Sequence, residues 1–472
     1  MDINSINPLV VKSEYAVRGA IVERSGQLRA KMLGGEKFPF KDFISCNIGN
    51  PFSVGKRAIT FPRQLLAAVE CPSLIESKDL PEEARMRAKQ FLTLEPSGLG
   101  AYTQSQGIEF VRKHIAEFIS KRDGIPADSN QIYLSTGASQ AVTTILTMLI
   151  SHPKVGILTP YPTYPLYTAE IVLRNGQVVP YFLKESSQWS LELSELKESY
   201  EQAKSQGIDV RAIVVINPGN PTGSVMTVEQ MKNVVKFCEE NNVLLIADEV
   251  YQDNIYNPEK PFVSFKKVAH ELNSDIQIIS LHSISKGFMG ECGHRGGYME
   301  LQNVPQAVVD QIYKMSSISL CPNSVGQLLV DAMVKPPESK ECRELWEKEK
   351  NFELNSLKEK ALRLQKTLNT LPGIHCQPAD GSMYLFPSLE LPLKALEASK
   401  SARFNGKPVQ PDMFWSLKLL EETGIIVVPG SGFGQVPGTN HFRITFLPVA
   451  EKMDAVIERI SKFQNDFMKQ YA

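Results

Sequence analysis

Apolar residues change their spacing along the chain, and the change predicts different kinds of structure in different stretches. Near the start, Val17, Ile21 and Leu28 are spaced as on one face of a helix among charged residues. The pattern stops at Gly34-Gly35, as helices often do at glycine. It predicts an N-terminal helical arm over residues 14–33.

From about residue 131, short apolar runs alternate with longer stretches of helical pattern such as residues 227–241. The runs are QIYLST, VGILTP, VRAIVVIN, VLLIADE and IQIISLHS. Apolar strands separated by helices are typical of a mostly parallel sheet with helices on both faces. This stretch is therefore predicted to form an α/β domain.

The pattern breaks at the proline pair Pro336-Pro337, and a long charged helix is predicted over residues 339–371. After it come predicted short strands near 382–387, 424–428 and 440–446 and an amphipathic helix over 450–470. We expect a hinge near Pro336 and a smaller α+β unit beyond it.

Length, charge and cysteine content narrow the function classes. A chain of 472 residues is long enough for two domains. Its 51 basic and 52 acidic residues give a net charge of −1, so no partner such as nucleic acid or an acidic membrane is expected. The seven scattered cysteines form no C-x-x-C pair, which argues against disulfides and a zinc site and, without a recognisable leader, predicts a cytoplasmic location.

Two motifs follow apolar strands, at the edge of a sheet where ligands bind. NPGNPTG (217–223) is rigid in Pro and Gly, although any turn prefers those residues as well. ADEVY (247–251) lies at the end of the strand VLLIAD. Burying the carboxylate of Asp248 there would cost free energy unless a cation pairs with it. Alternatively, the carboxylate simply caps a helix. Tyr251 on the same loop is placed to donate a hydrogen bond to a phenolate.

A third motif, SISKGFMGECGHRGGY (283–298), joins hydroxyl groups and cations to a Gly-rich stretch. Ser283, Ser285 and Arg295 could bind phosphate beside the amine of Lys286. A lone lysine is usually solvated, so this interpretation depends on its neighbours. Ser139 begins a predicted helix, where it is either a phosphate ligand or an ordinary cap.

Arg443 in HFRITF lies on an alternating strand, from which its planar guanidinium could grip a carboxylate, or simply face solvent. The run GSGFG (430–434) is rejected as a phosphate loop because no Lys-Ser/Thr helix start follows it.

The order of NPGNPTG, ADEVY, SISKGFMGECGHRGGY and HFRITF resembles that of the fold-type-I pyridoxal-phosphate aminotransferases of class I and II. Further strings are similar to those of alanine aminotransferases: GAYTQSQG, GASQA, YPLY, DEVYQDN, MGECGHRGGYME and LLEETGIIVVPGSGFGQ. The resemblance implies an α/β large domain (96–335) around a mostly parallel seven-stranded sheet. It also implies a smaller α+β domain (46–95 and 336–472) and an N-terminal arm (1–45).

The resemblance assigns roles by position. Lys286 would form a Schiff base with pyridoxal 5′-phosphate and move the proton between Cα and C4′. Asp248 would keep the pyridine nitrogen protonated, and Tyr164 would stack on the ring. Tyr251 and Asn220 would hold the phenolic oxygen. The expected phosphate ligands are Ala138, Ser139, Ser283, Ser285, Arg295 and, from a neighbouring subunit, Tyr102. The expected substrate ligands are Gly49, Asn220 and Arg443.

The implied reaction is reversible ping-pong amino transfer between L-alanine and 2-oxoglutarate in amino-acid metabolism, by a homodimer that acts on amino acids and 2-oxo acids. A different donor range, or a cysteine-conjugate β-lyase on the same fold, stays open. A ligand-sensing module of a transcriptional regulator is disfavoured, because the residues before Asn47 are too few for a DNA-binding domain. Gln140 stands where many alanine aminotransferases have an acidic residue, and no arginine is marked for a distal carboxylate.

Overall fold

The computed structural model describes residues 1–15 and 19–472. Its helices are α1 Pro8–Lys12, α2 Ala20–Leu33, α3 Thr60–Glu70, α4 Glu82–Leu94, α5 Glu109–Asp123, α6 Ala138–Leu149, α7 Pro165–Leu173, α8 Leu193–Ser205, α9 Val228–Asn241, α10 Phe265–Glu271, α11 Gln306–Ile318, α12 Ser324–Val334, α13 Lys340–Leu368, α14 Leu393–Ser401, α15 Pro411–Thr423 and α16 Ala450–Gln470.

The strands are β1 Ile44–Ser45, β2 Ile132–Ser135, β3 Val155–Tyr161, β4 Gln177–Phe182, β5 Asp209–Ile216, β6 Leu244–Asp248, β7 Ile278–Ser283, β8 Gly297–Gln302, β9 Ile374–His375, β10 Tyr384–Leu385, β11 Ser388–Leu389, β12 Arg403–Phe404, β13 Lys407–Pro408, β14 Ile425–Ile426, β15 Val428–Pro429 and β16 Phe442–Thr445.

A seven-stranded sheet has the order β2-β8-β7-β6-β5-β3-β4. Strand β8 runs antiparallel to the other six strands, which all point the same way, so the predicted mostly parallel α/β sheet is confirmed. Neighbouring residues on a strand point to opposite faces: Ile213 and Leu245 belong to one core cluster, Val214 and Ile246 to the other. Helices cover both faces, which explains why these strands are apolar throughout.

Two strands of this sheet were not predicted from the apolar runs. Strand β4 lies at the sheet edge and contains Pro180, which an edge strand tolerates. Strand β8 contains Glu300, whose carboxylate is buried against the ammonium group of Lys266. A charged residue interrupts the apolar pattern of the strand, and the buried partner that neutralises the charge cannot be seen in the local sequence. For this reason the apolar runs did not predict β8.

The C-terminal elements form a second core, in which Trp415 packs on Phe442 and on Phe463 of α16. Strand β16 lies between β10 and β15, and β1 pairs in parallel with β14. Two buried tyrosines after β6, Tyr251 and Tyr256, belong to the same cluster. The C-terminal core therefore reaches the carboxyl edge of the large sheet.

The N-terminal arm helix begins at Ala20, later than the sequence pattern suggested, and Gly34 caps its end. Val17 of that pattern lies outside the described residues. Helices α3 and α4 share a core with α5 and α12. The domain boundaries stay a prediction. Within the described ranges, no helix is long and apolar enough to cross a bilayer.

Candidate active site

A cavity of about 290 Å³ lies where β5, β6 and β7 end, and we call it the central cavity. All predicted site residues except Tyr102 line it: Gly49, Ala138, Ser139, Tyr164, Asn220, Asp248, Tyr251, Ser283, Ser285, Lys286, Arg295 and Arg443. The parallel strands bring Asn220, Asp248 and Ser283 together because their carboxyl ends meet at one edge, whereas Gly49 and Arg443 reach the cavity from outside this sheet. Which roles the residues perform stays a prediction.

Lys286 follows the end of β7, and its ammonium group points into the central cavity. Its Nζ donates a hydrogen bond to the Gly49 carbonyl oxygen at 2.7 Å. The next residue is fixed as well, since the Gly287 amide donates to Oδ1 of the buried Asn254 at 2.9 Å. A Cβ atom at position 49 would collide with the Tyr384 hydroxyl and lie 2.8 Å from Lys286 Nζ, so a side chain there would displace both groups.

Asp248 ends β6 and is buried, with 6% of its surface exposed. Its Oδ2 accepts a hydrogen bond from the Tyr167 hydroxyl at 2.7 Å. Burial raises the pKa of Asp248 above its usual value, while the Tyr167 hydroxyl and the positive charge of Lys286 oppose that rise. The Tyr167 hydroxyl and the charge of Lys286 compensate only part of the cost of burying this carboxylate. A cationic ring nitrogen in the cavity would compensate the rest.

The part of the cavity lined by the start of α6 and by Arg295 has the features of an anion site. Helix α6 begins at Ala138, so its first backbone N–H groups and its dipole face an incoming anion. Arg295 lies beside this terminus, with its Nη2 atom donating to Ser139 Oγ at 3.0 Å and to the Thr136 carbonyl at 3.2 Å. A Cβ atom at Gly137 would collide with this guanidinium, and φ there is +77°. Such a site suits a phosphate group.

Arg443 lies on β16 and is almost completely buried, at 1% exposure. Its Nη1 donates to Asn220 Oδ1 at 3.0 Å and its Nη2 to the Asn47 carbonyl at 2.5 Å. The guanidinium carbon lies 4.2 Å from the Tyr384 ring centre and 4.7 Å from that of Phe433. Aromatic faces and neutral oxygens stabilise the charge without neutralising it, so it can pair with a substrate carboxylate.

Three tyrosines near the cavity were not predicted as site residues: Tyr15, Tyr167 and Tyr384. The Tyr15 hydroxyl lies 2.8 Å from that of Tyr164. The hydroxyl of Tyr251 donates to that of Tyr384 at 3.3 Å. Tyr167 ends the string YPLY, but the resemblance gave a role only to Tyr164 there. For Tyr384, the only signal in the sequence is its position in a predicted strand.

The charges of the cavity act on these phenols in different directions. Burial alone would raise the pKa of Tyr384, but the positive charges of Lys286 and Arg443 outweigh it, so the pKa lies below the usual value. Burial and the neighbouring phenol raise the pKa of Tyr251. Of the two phenols, Tyr251 therefore holds its proton more firmly, which agrees with its donating to Tyr384.

Two predicted features have positions outside the cavity. Tyr102 is 76% exposed on the surface and does not reach the cavity of its own chain. Gln140 also lies outside it, and its Oε1 accepts from the Thr136 amide at 2.6 Å. This contact is one that a carboxylate could make equally well, so Gln140 supports the loop before α6 without contacting a ligand.

Pyridoxal 5′-phosphate fits this arrangement. The α6 terminus and Arg295 match its phosphate, and the buried Asp248 matches its ring nitrogen. Tyr251 matches its phenolic oxygen and Lys286 its aldehyde. Each functional group of the cofactor thus meets a residue of complementary chemistry.

Comparisons with known proteins give a consistent result. The family model described as aminotransferase class I and II matches residues 66–460. The chain is 48% identical to the probable mitochondrial alanine aminotransferase of Dictyostelium discoideum, over all of the chain and 90% of that protein. It is 46% identical to alanine aminotransferase 2 of Panicum miliaceum (99% and 98% covered). It is also 43% identical to glutamate–glyoxylate aminotransferase 2 of Arabidopsis thaliana (100% and 97%).

Among solved structures, alanine aminotransferase from Pyrococcus furiosus superposes with a TM-score of 0.77 at 23% identity, covering 98% of this chain and all of the other. At that identity the likeness shows the fold alone.

The expected cytoplasmic location was wrong. The Dictyostelium relative and two relatives from Arabidopsis thaliana are named mitochondrial. The expectation relied on the scattered cysteines and on the lack of a recognisable leader, and the seven thiols are free in the structure. Free thiols persist in any reducing compartment, so they could not separate cytosol from mitochondrial matrix.

Proposed function

The chain belongs to the family of class I and II aminotransferases, and we propose that it transfers the amino group of L-alanine to 2-oxoglutarate, giving pyruvate and L-glutamate. It is an enzyme that depends on pyridoxal 5′-phosphate. One observation supports the proposal above the others: the amine of Lys286, the carboxylate of Asp248 and the guanidinium of Arg443 line the same cavity.

The residues divide the work between binding and proton transfer. Arg443 binds the α-carboxylate of the amino acid through its planar N–H groups and so orients the Cα–H bond. Lys286, held beside the Gly49 carbonyl, removes the proton from Cα and delivers it to C4′ of the cofactor. Bound pyridoxal phosphate supplies the aldehyde that accepts the amino group and the ring that accepts electrons from Cα.

Asp248 and Tyr251 set the electronic state of the bound ring. The Asp248 carboxylate, oriented by the Tyr167 hydroxyl, holds a proton at the ring nitrogen. Tyr251 donates a hydrogen bond to the phenolic oxygen. The α6 terminus and Arg295 anchor the phosphate, so the reacting atoms keep their place through both halves of the reaction.

The enzyme is also proposed to be a homodimer in which Tyr102 reaches the phosphate of the partner. The loop that carries Tyr102 is attached to the turn after α11, where Ser105 Oγ donates to the Leu320 carbonyl at 2.7 Å. On these two segments Tyr102, Ile318 and Leu320 are 76%, 78% and 50% exposed. Exposed apolar side chains on neighbouring segments are typical of a protein–protein interface.

The first experiment measures products. Purified protein with L-alanine and 2-oxoglutarate should form pyruvate and L-glutamate in equal amounts. The Lys286→Ala variant should lose at least about 10³-fold of this activity, because the proton carrier is gone. After borohydride reduction and denaturation, the wild-type chain should retain the cofactor and the variant should not. Retention by Lys286→Ala would assign the attachment to another lysine.

A matched control is Lys400→Ala, which removes an exposed lysine that pairs with Glu397 on the surface of α14. Its activity should stay within about twofold of wild type. The same assay distinguishes the alternatives. Glyoxylate in place of 2-oxoglutarate tests a different acceptor range, and pyruvate plus ammonia from a thioether amino acid without any 2-oxo acid would indicate a β-lyase instead.

A further inference from the structure

We propose that His441 is a positioning residue for Arg443: as a doubly protonated imidazolium, it ties strand β16 to the loop after β4 through Glu185. The inference rests on the proposed function, since it needs Arg443 to bind the substrate carboxylate. His441 lies two residues before Arg443 and outside the central cavity.

Both ring nitrogens of His441 contact oxygen atoms. Nε2 lies 3.0 Å from Glu185 Oε2 and Nδ1 lies 2.8 Å from Gln435 Oε1. The histidine is 2% exposed, so its ring nitrogens are largely shielded from solvent. Glu185 begins a short 3-10 helix, Glu185–Ser187, in the connection from β4 to α8, far from β16 in the sequence. The Nε2 bond therefore joins the large sheet to the C-terminal unit.

The orientation of Gln435 requires that both nitrogens donate. Its amide Nε2 donates to Oδ2 of the buried Asp412 at 3.2 Å, which leaves its oxygen for the histidine. Rotating the amide would bring its oxygen against the carboxylate. Nδ1 of His441 must then carry a proton, and so must Nε2, which faces the Glu185 carboxylate. A neutral imidazole has one N–H group and can satisfy only one of these contacts.

A line of aromatic contacts connects His441 to Arg443. The imidazole stacks on Phe386 with ring centres 4.9 Å apart and planes 4° apart. Phe386 meets Phe433 edge-on at 5.7 Å, and Phe433 lies under the Arg443 guanidinium at 4.7 Å. On the other side, Trp189 contacts the imidazole edge-on at 5.4 Å. If His441 shifts, Phe386 and Phe433 can shift with it. Because Phe433 packs on the Arg443 guanidinium, such a shift would move the guanidinium as well.

Several charged and titratable groups surround His441. A cavity of about 560 Å³ adjoins it on the side of the β4–α8 connection. Besides Glu185, its charged and titratable lining side chains are Tyr161, Lys184, Glu192 and Glu195. Asp412 of α15 lies behind Gln435, and Arg443 follows on β16. The imidazolium thus directly contacts one carboxylate, that of Glu185. Each of the two segments that it joins also carries a cation: Lys184 on the β4–α8 connection and Arg443 on β16.

Four variants test the role. Glu185→Ala removes the partner from a position that is 27% exposed and should not endanger folding. His441→Asn keeps a donor near the Nδ1 position and loses Glu185, whereas His441→Gln reaches the Nε2 position and keeps the contact with Glu185. The double variant combines His441→Asn with Glu185→Ala. The matched control changes His375 and Glu390, an exposed histidine–carboxylate pair of the same unit.

We expect KM for L-alanine and for 2-oxoglutarate to rise about tenfold in Glu185→Ala and His441→Asn, with kcat within about twofold, because one charged hydrogen bond is lost outside the reacting centre. His441→Gln should restore most of the affinity. The double variant should be no worse than either single one, since both remove the same contact. Changes at His375 and Glu390 should leave both constants unchanged.

The split between KM and kcat, together with the rescue by His441→Gln, is a readout that a merely structural role would not move. Unchanged KM in both single variants, an equal fall in kcat, or no rescue by His441→Gln would overturn the proposal. A wild type that does not turn over alanine would instead refute the proposed function.

Discussion

The two ends of the central cavity are built in different ways. At the cofactor end, Asp248, Lys286 and Arg295 come from one stretch of chain. Asp248 ends β6, and the other two lie in the connection between β7 and β8 of the seven-stranded sheet. At the carboxylate end, Arg443 lies on a four-residue strand and contacts Asn47 and Asn220, which are hundreds of residues away in sequence. One end is fixed by a large sheet, and the other is assembled from distant segments.

This difference predicts different failures. Residues of the cofactor end are positioned by strands that pair on both sides, so a substitution there should leave the geometry in place and remove chemistry. The carboxylate end depends on interlocked side chains, with Arg443 between the rings of Tyr384 and Phe433. Substitutions there should weaken substrate binding while the cofactor stays bound.

The largest effect that separates the two ends is expected for Arg443→Lys. Lysine keeps the charge but loses the planar pair of N–H donors, so KM for L-alanine should rise about 100-fold. Cofactor content and its visible spectrum should stay those of wild type. The surface substitution Arg363→Lys, at an arginine paired with Asp454, is the control for the chemical change alone. Loss of cofactor from Arg443→Lys would show that the two ends are not independent.

A smaller effect, at the other end, is expected for Tyr167→Phe. The hydroxyl lowers the pKa of Asp248, so its removal raises that pKa further. Asp248 then takes up a proton at higher pH than in wild type, and the acid side of the kcat profile should move to higher pH. At neutral pH we expect a fall in kcat of about tenfold, the size of one hydrogen bond to a charged group, with KM for L-alanine nearly unchanged.

Tyr181→Phe is the matched control for Tyr167→Phe. Tyr181 is equally buried, and its hydroxyl donates to the Val214 carbonyl at 2.7 Å, away from the cavity. Both variants should lose similar stability in thermal unfolding, but only Tyr167→Phe should move the pH profile. A shift in both profiles would mean that loss of packing in the sheet, and not the carboxylate, controls kcat.

The same contrast explains what the sequence could predict. At the cofactor end, Asp248, Lys286 and Ser283 each stand in a short motif at the end of an apolar strand. The spacing of apolar residues and the composition of the turns were therefore enough to predict them as site residues. Strand β8 was missed because the charge of Glu300 is neutralised by Lys266, a partner that no local pattern shows. Local patterns therefore predicted the strands that carry site residues and the chemistry at their ends, but they did not predict every strand of the sheet.

At the carboxylate end, Arg443 and its partner Asn220 were predicted, but the other residues that hold Arg443 were not. Tyr384, Phe433 and the Asn47 carbonyl reach it only when β10, β15 and the segment after β1 come together. His441 gave no signal either, since its partner Glu185 lies 256 positions away. Contacts between distant segments depend on packing, and no periodicity encodes them.

The smallest expected effect concerns Tyr15, which joins the N-terminal arm to the cofactor end. Helix α1 packs on α7, where Ser13 Oγ donates to the Ala169 carbonyl at 3.1 Å. The Tyr15 hydroxyl contacts that of Tyr164, but Tyr15 is 39% exposed and water can replace the bond. Tyr15→Phe should therefore lower kcat/KM for L-alanine no more than about threefold. If it lowered kcat/KM as much as Tyr167→Phe, the arm would belong to the rigid cofactor end, and the sheet alone would no longer account for how that end is held.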